Sequence, residues 1–344
     1  MNKQPKDFSY ALSSYLSVYL PGTKGVSKNT VLSYRDTFSL LLIYYRDCLD
    51  IAPEKLSFQQ IDRALIEGFL TWLESSRKCS VSTRNQRLAA IRAFFRYLQV
   101  YHPEHLLLCQ EIIGIPSKSS KERMMNYLDL DSLKVLLSMP NPSTRQGRRD
   151  TVLLSLLYDS GARVQEIVDL CRADVRTTFP ATARLSGKGG KVRIVPLSAD
   201  MAQLLQAYLD ELAQLGRAKG TDALFCSRSG QKMTRAGVAY ILAKYADMAR
   251  QAVPGCVPVP FSPHCLRHSK AMHLLQARVN LVYIRDLLGH TDLRTTEIYA
   301  RAETEAKRKA LEAASPVKSD GKYPSWTEND QLLTWLQSFG RTDI

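Results

Sequence analysis

Apolar positions recur at helical spacing through the first hundred residues. Phe8, Leu12, Tyr15, Leu16 and Tyr19 share a face before Pro21-Gly22, which should break the helix. Ser27 can cap a second helix through Thr30, Leu32, Phe38, Leu41 and Leu42. A third is predicted over about residues 64–75 with Leu65, Phe69, Leu70, Trp72 and Leu73. A fourth starts near Ser82 and carries Leu88, Ile91, Phe95 and Leu98 on one stripe. Between His102 and Asn126 the pattern dissolves into a polar, basic run, Ile115-Pro116-Ser117-Lys118-Ser119-Ser120-Lys121-Glu122-Arg123. Such a run cannot build a core and reads as a linker. The expected organisation is a helical domain over 1–105, a linker over 106–126, a second domain over 127–314 and a tail over 315–344.

In the second domain Asp131 can cap a short helix ended by Pro140. Asp150 can cap Val152 to Tyr158, apolar enough to be buried all round. Gly161 ends that helix, and another carries Arg163 to Leu170. Then the period changes to two. Thr182 to Ser186 and Val192 to Leu197 predict strands around a glycine turn, and Leu224-Phe225-Cys226 a further short strand. Helices resume from Ala199 to Leu215, from a Thr234 cap to about Ala252, and in pieces from His264 to Ala314. In the tail, Thr327 can cap a last helix with Leu332, Leu336 and Phe339 in line. A short helix with that much apolar surface must dock, on its own domain or on a neighbour. The fold class expected is mainly α with a small β-sheet.

Composition adds a partner. The 344 residues carry a formal net charge of +14, which points to a polyanion, most commonly nucleic acid. Arg84, Arg87 and Arg92 on the fourth helix, and Lys118 and Lys121 in the linker, are candidates for phosphate contact. Flanking arginines can equally serve only to solvate a helix edge. No apolar run is long enough to span a bilayer and the start lacks a signal-peptide pattern, so a cytoplasmic protein without membrane contact is expected. The seven cysteines never form a C-x-x-C pair and read as reduced thiols.

Candidate chemistry concentrates between Phe261 and Ala300. Pro263-His264-Cys265-Leu266-Arg267-His268 comes first, then Leu287-Leu288-Gly289-His290, then Tyr299. Arg163 lies in Gly161-Ala162-Arg163-Val164-Gln165-Glu166, and Lys188 in Gly187-Lys188-Gly189-Gly190-Lys191. Arginine forks bind phosphate oxygens bidentately. Histidine moves protons, and a phenol attacks only beside a charge cage and a proton acceptor. Each residue has a plainer reading: a surface ion pair for Arg163, hairpin chemistry for Lys188, structural histidines, a core tyrosine. The glycine-lysine run lacks the spacing of a Walker loop.

Taken in order, these boxes resemble those of the tyrosine recombinase, or phage integrase, family, over about Phe8 to Arg308. The resemblance implies a helical SAM-like core-binding domain and a mixed α/β catalytic domain. It implies a site-specific recombinase in which Tyr299 attacks a DNA phosphodiester to give a 3′-phosphotyrosyl link. Arg163 and Arg267 would hold the phosphate oxygens, with Glu166 bracing Arg163. Lys188 would protonate the leaving 5′-oxygen, His264 would act as general acid/base near the tyrosine proton, and His290 would bond the phosphate. It implies no metal, ATP or other cofactor. The partners implied are double-stranded DNA, three further copies on two DNA sites, and in some members accessory DNA-bending or directionality proteins. About seven residues precede the first helix, so the arm-binding domain of some integrases is expected to be absent, and the long stretch after Tyr299 tilts the reading towards a mobile element. Chromosome or plasmid resolution, a non-cleaving accessory DNA-binding relative, and a type IB topoisomerase are the alternatives.

Overall fold

The structure, a computed structural model, describes residues 7–119, 125–216, 220, 222–290, 292 and 294–302. The chain divides into two compact units, Met1–Arg123 and Met124–Ile344.

The first unit is helical. Helix α1 (Asp7–Ser14) runs into a π-helical turn, Tyr15–Thr23, and α2 (Lys28–Leu49), α3 (Arg63–Ser75), α4 (Val81–Tyr101) and α5 (Leu106–Ile113) follow. Side-chain oxygens cap three of them: Ser27 takes the Thr30 N–H, Asp62 that of Leu65, and Ser80 that of Thr83. Aromatic side chains fill the core, where Phe94 meets Phe8, Tyr15 and Phe38 edge-on at centroid distances of 5.8, 5.2 and 5.1 Å. Two expectations are corrected. Pro21 does not stop the first helix, because Tyr15 and Leu20 are buried in this core and the wider π turn continues past the proline. The expected linker over 106–126 begins instead with α5, whose Cys109 and Ile112 join the same core.

The second unit carries eight helices among its described residues: α6 (Leu130–Ser138), α7 (Arg145–Asp159), α8 (Val164–Asp169), α9 (Ala199–Gln214), α10 (Arg235–Ala252), α11 (Pro263–Gln276), α12 (Leu281–Leu288) and α13 (Arg294–Ala302). Between α8 and α9 lies an antiparallel sheet, β1 (Val175–Arg176), β2 (Thr182–Ser186) and β3 (Val192–Pro196), in that order. Arg184 stands opposite Ile194, which leaves Gly187 to Lys191 as the hairpin tip. Helix α7 is buried along Val152, Leu153, Leu154, Leu156 and Leu157 and forms the spine of the core.

Three local expectations change here. Asp129, not Asp131, caps α6. Thr144, not Asp150, caps α7. Asp150 lies buried inside that helix, where it accepts bonds from Arg149 and the Tyr245 hydroxyl. An aspartate inside a helix imitates a cap in sequence, and only the fold reveals its buried partners. Leu224 to Cys226 forms no strand; single bridges join Cys171 to Ala223 and Cys226 to Lys232. All seven cysteines are unpaired. Among the described residues no helix is long and apolar enough to cross a membrane. The helix expected in the tail, and Lys121, fall outside the described residues.

Candidate active site

The C-terminal end of α12 organises the site. A helix end leaves its last carbonyls without intrahelical partners and carries the negative pole of the helix dipole. Here three consecutive carbonyls each accept from a different arginine. Arg193 donates through Nε to the Leu287 oxygen at 2.9 Å. Arg267 donates through Nη2 to Leu288 at 2.6 Å, and Arg163 through Nη2 to Gly289 at 3.3 Å. Gly289 permits this by turning left-handed, with φ of +64°. A Cβ there would meet the Arg193 side chain at 3.0 Å.

Each arginine is held a second time. Arg267, buried on α11, donates through Nη1 to the Gly161 carbonyl at 2.7 Å. Gly161, at the end of α7, is itself left-handed, with φ of +57°. Arg193 on β3 makes a two-pronged pair with Glu166, 2.7 Å on each prong. Glu166 also takes Arg163 Nη1 at 3.0 Å and the Arg163 main-chain N–H at 2.7 Å. One buried carboxylate at the start of α8 therefore positions two cations. Burial pushes its pKa up, but Arg193 and Arg163 outweigh that and hold it below the usual carboxylate range.

The proton-bearing groups surround Tyr299. Its ring is buried on α13 at 1% exposure, and its hydroxyl lies 3.0 Å from His268 Nδ1. His290 lies parallel to it, with centroids 6.5 Å apart, and its Nδ1 is 2.9 Å from the Thr296 hydroxyl. Burial raises the phenol pKa, while Arg267 and Arg163 pull it back. Burial likewise depresses His268 and His290, each to about 4, with neighbouring cations adding to it. The Arg267 guanidinium is brought down to about 10, first by burial and then by Arg163. His264 stands exposed at the start of α11, its pKa lowered by partial burial and by Arg267 and Arg163. The arrangement is a positive cage around a buried phenol, fit to bind an anion and stabilise negative charge developing on it. Among the described residues no three His, Cys, Asp or Glu side chains gather as metal ligands would.

Of the six residues expected from sequence, Arg163, His264, Arg267, His290 and Tyr299 come together here. Lys188 sits on the β2–β3 hairpin tip, where Gly189 and Gly190 both have positive φ; its side chain lies outside the described residues. The five residues offered for phosphate contact fare differently. Arg84 is buried and bonds Asn85 and the Pro116 carbonyl, which corrects its reading as a phosphate ligand. The 115–118 backbone lies outside any helix and takes donors where it finds them. Arg92 reaches the Ile115 carbonyl and Ser117, and Lys118 pairs with Glu74 at 2.5 Å. Arg87 ties α4 to α2 through Ser33 and Thr37. Two site residues were missed. Arg193 shares the inward parity of Val195 on β3, a signal that alternation offered. His268 stands in its box, where the resemblance assigns it no role.

Residues 126–306 match the phage integrase family, and residues 13–100 its N-terminal SAM-like domain. The provisionally named integrase/recombinase y4rC of Sinorhizobium fredii is 37% identical, covering 95% of this chain and 97% of its own length. The tyrosine recombinase XerD of Vibrio cholerae is 32% identical over 82% of this chain and 88% of its own. A crystal structure of the XerH site-specific recombinase bound to its difH substrate superposes with a TM-score of 0.65 at 24% identity, covering 92% and 91% of the two chains.

Proposed function

This chain belongs to the phage integrase family, and on that premise we propose how its site cuts and rejoins DNA. It is a tyrosine-type site-specific recombinase acting on double-stranded DNA. Tyr299 attacks a backbone phosphorus and becomes esterified to the 3′ side, while the 5′-oxygen leaves. Arg163 and Arg267 hold the non-bridging oxygens and offset the charge that grows on them. Lys188 supplies the proton to the 5′-oxygen, and His290 donates a hydrogen bond to the phosphate. His264, exposed at the start of α11, serves as a general acid/base. The ester conserves the energy of the broken bond, so rejoining needs no ATP.

The observation that carries this reading is that Arg163 and Arg267, both anchored to the turn that ends α12, act on the buried Tyr299. Arg87, Arg92 and Lys118, partly exposed, and Lys121 further along the same basic run, are offered as backbone contacts. Each copy holds one such nucleophile, and exchange between two duplexes requires four strand cuts, which favours four copies on two sites. Movement of a mobile element, in the cytosol, is the cellular role proposed. Accessory DNA-bending or directionality proteins would then act through the DNA.

The test is a duplex nicked beside the cleavage point, from which the short 5′-ended fragment diffuses away. Wild-type protein should accumulate as a covalent DNA adduct, and Tyr299→Phe should bind without forming it. Binding without any adduct from the wild type would instead favour a non-cleaving accessory protein. Relaxation of arbitrary plasmids without strand exchange would favour a topoisomerase.

A further inference from the structure

The Tyr299 hydroxyl has one hydrogen-bond partner among the described residues, His268 Nδ1 at 3.0 Å. If Nδ1 carried the proton and donated it, the buried phenolic hydrogen would be left without an acceptor. Buried hydroxyls rarely tolerate that. With the ring proton on Nε2, the hydroxyl donates and Nδ1 accepts. No hydrogen bond among the described residues joins His264 to the phenol, and the His264 ring lies 6.5 Å from that of His268, centroid to centroid.

The surroundings keep His268 unprotonated at rest. The titratable and charged groups facing it are His264 and Arg267 on its own helix, Tyr299 on α13, and His290 after α12. Burial disfavours a positive charge on this imidazole most, and His264 and Arg267 add to that. The imidazole is thus neutral across the physiological range; an anionic phosphate held in the cage would offset the charge the ring gains on taking a proton.

We propose that His268 is the catalytic base that takes the proton of Tyr299 during strand cleavage. This rests on Tyr299 being the nucleophile. As the phenolic oxygen bonds to phosphorus, its proton passes to Nδ1 and His268 becomes an imidazolium. The bond from phosphorus to the 5′-oxygen breaks, and that oxygen takes a proton from Lys188. On rejoining, an incoming 5′-hydroxyl returns its proton to Lys188, and the departing phenolate recovers its own from His268. Atoms and charge balance without a further reactant.

The test is single-turnover cleavage of the nicked duplex with saturating protein, between about pH 6 and pH 9. His268→Asn places an amide oxygen near the position of Nδ1 but cannot take a proton. Cleavage by this variant should fall on the order of 10²–10⁴-fold and then climb with pH as hydroxide takes over, while wild type stays level. Added imidazole should restore part of the rate to His268→Ala. Wild-type speed and a level profile in His268→Asn would overturn the proposal. So would a loss that is equal at every pH and unmoved by imidazole, which is what a structural contact gives. A measurement without variants stands beside these: nitrogen-15 NMR of the wild-type imidazole should show Nδ1 unprotonated at neutral pH, and a proton there overturns the assignment. An adduct that persists in Tyr299→Phe would instead refute the nucleophile on which the proposal rests.

Discussion

Replacing Arg193 by methionine removes a guanidinium and keeps most of the aliphatic stem. Three bonds vanish: two at 2.7 Å to Glu166 and one at 2.9 Å to the Leu287 carbonyl. The Glu166 side chain is 2% exposed, so water cannot take the place of the fork. Removing one partner of a buried ion pair costs about 3–5 kcal/mol. Glu166 keeps the Arg163 side chain and main-chain N–H, which sets the expected loss at the lower end, about 3 kcal/mol. The pH dependence has a definite sign. In the wild type the Glu166 carboxyl is held low, so its contribution is present above the unfolded carboxyl value of about 4.3 and is lost as pH falls through the folded value. In the variant, burial meets weaker opposition and the folded value moves up. The penalty is then felt at neutral pH and shrinks as acid protonates the carboxyl, below about pH 5. Hydrogen exchange of peptides from α8 and β3, in the full chain and corrected for intrinsic rates, reads this directly. About two decades of protection should disappear near pH 7.5, with a smaller loss near pH 5. A loss under about 1 kcal/mol, or one equal at both pH values, would refute the claim that Glu166 is a buried carboxylate depending on Arg193.

Gly289→Ala forces a side chain into a left-handed turn and against Arg193 at 3.0 Å. It should cost about 2 kcal/mol in thermal or urea unfolding and slow cleavage more than it weakens DNA binding; unchanged stability would contradict the close approach at the end of α12. DNA affinity should fall steeply and linearly on a log–log plot of salt titration, because phosphate contacts release counterions, and a flat response would contradict backbone binding.

The helices of the first unit were legible because their caps and apolar stripes are local. Ser27 caps α2, and Thr234 caps α10 by accepting the Gly237 N–H. The hairpin strands were legible for the same reason. Asp150 misled because its partners, Arg149 and Tyr245, give an aspartate inside a helix what a cap would otherwise give it. Helix α5 was missed because its short apolar run follows a proline and gains its burial from α4, a tertiary contact without a local pattern. The site residues stood out as boxes, whereas their assembly did not. Arg163, Arg193 and Arg267 lie on separate elements and meet only through three carbonyls of a fourth, and no spacing rule encodes that encounter. Arg193 is the clearest loss. A cation on the inward face of a strand needs a buried anion, and the sequence pairs Glu166 only with its near neighbour Arg163.

Strand cleavage comes down to a bond between one oxygen atom and one strand end. Nuclease and protease digestion of the trapped adduct, followed by mass spectrometry, places the nucleotide on a single residue. A nucleotide-modified peptide with its phosphate on Tyr299 is expected. A nucleotide attached to any other side chain, with Tyr299 unmodified, would contradict it.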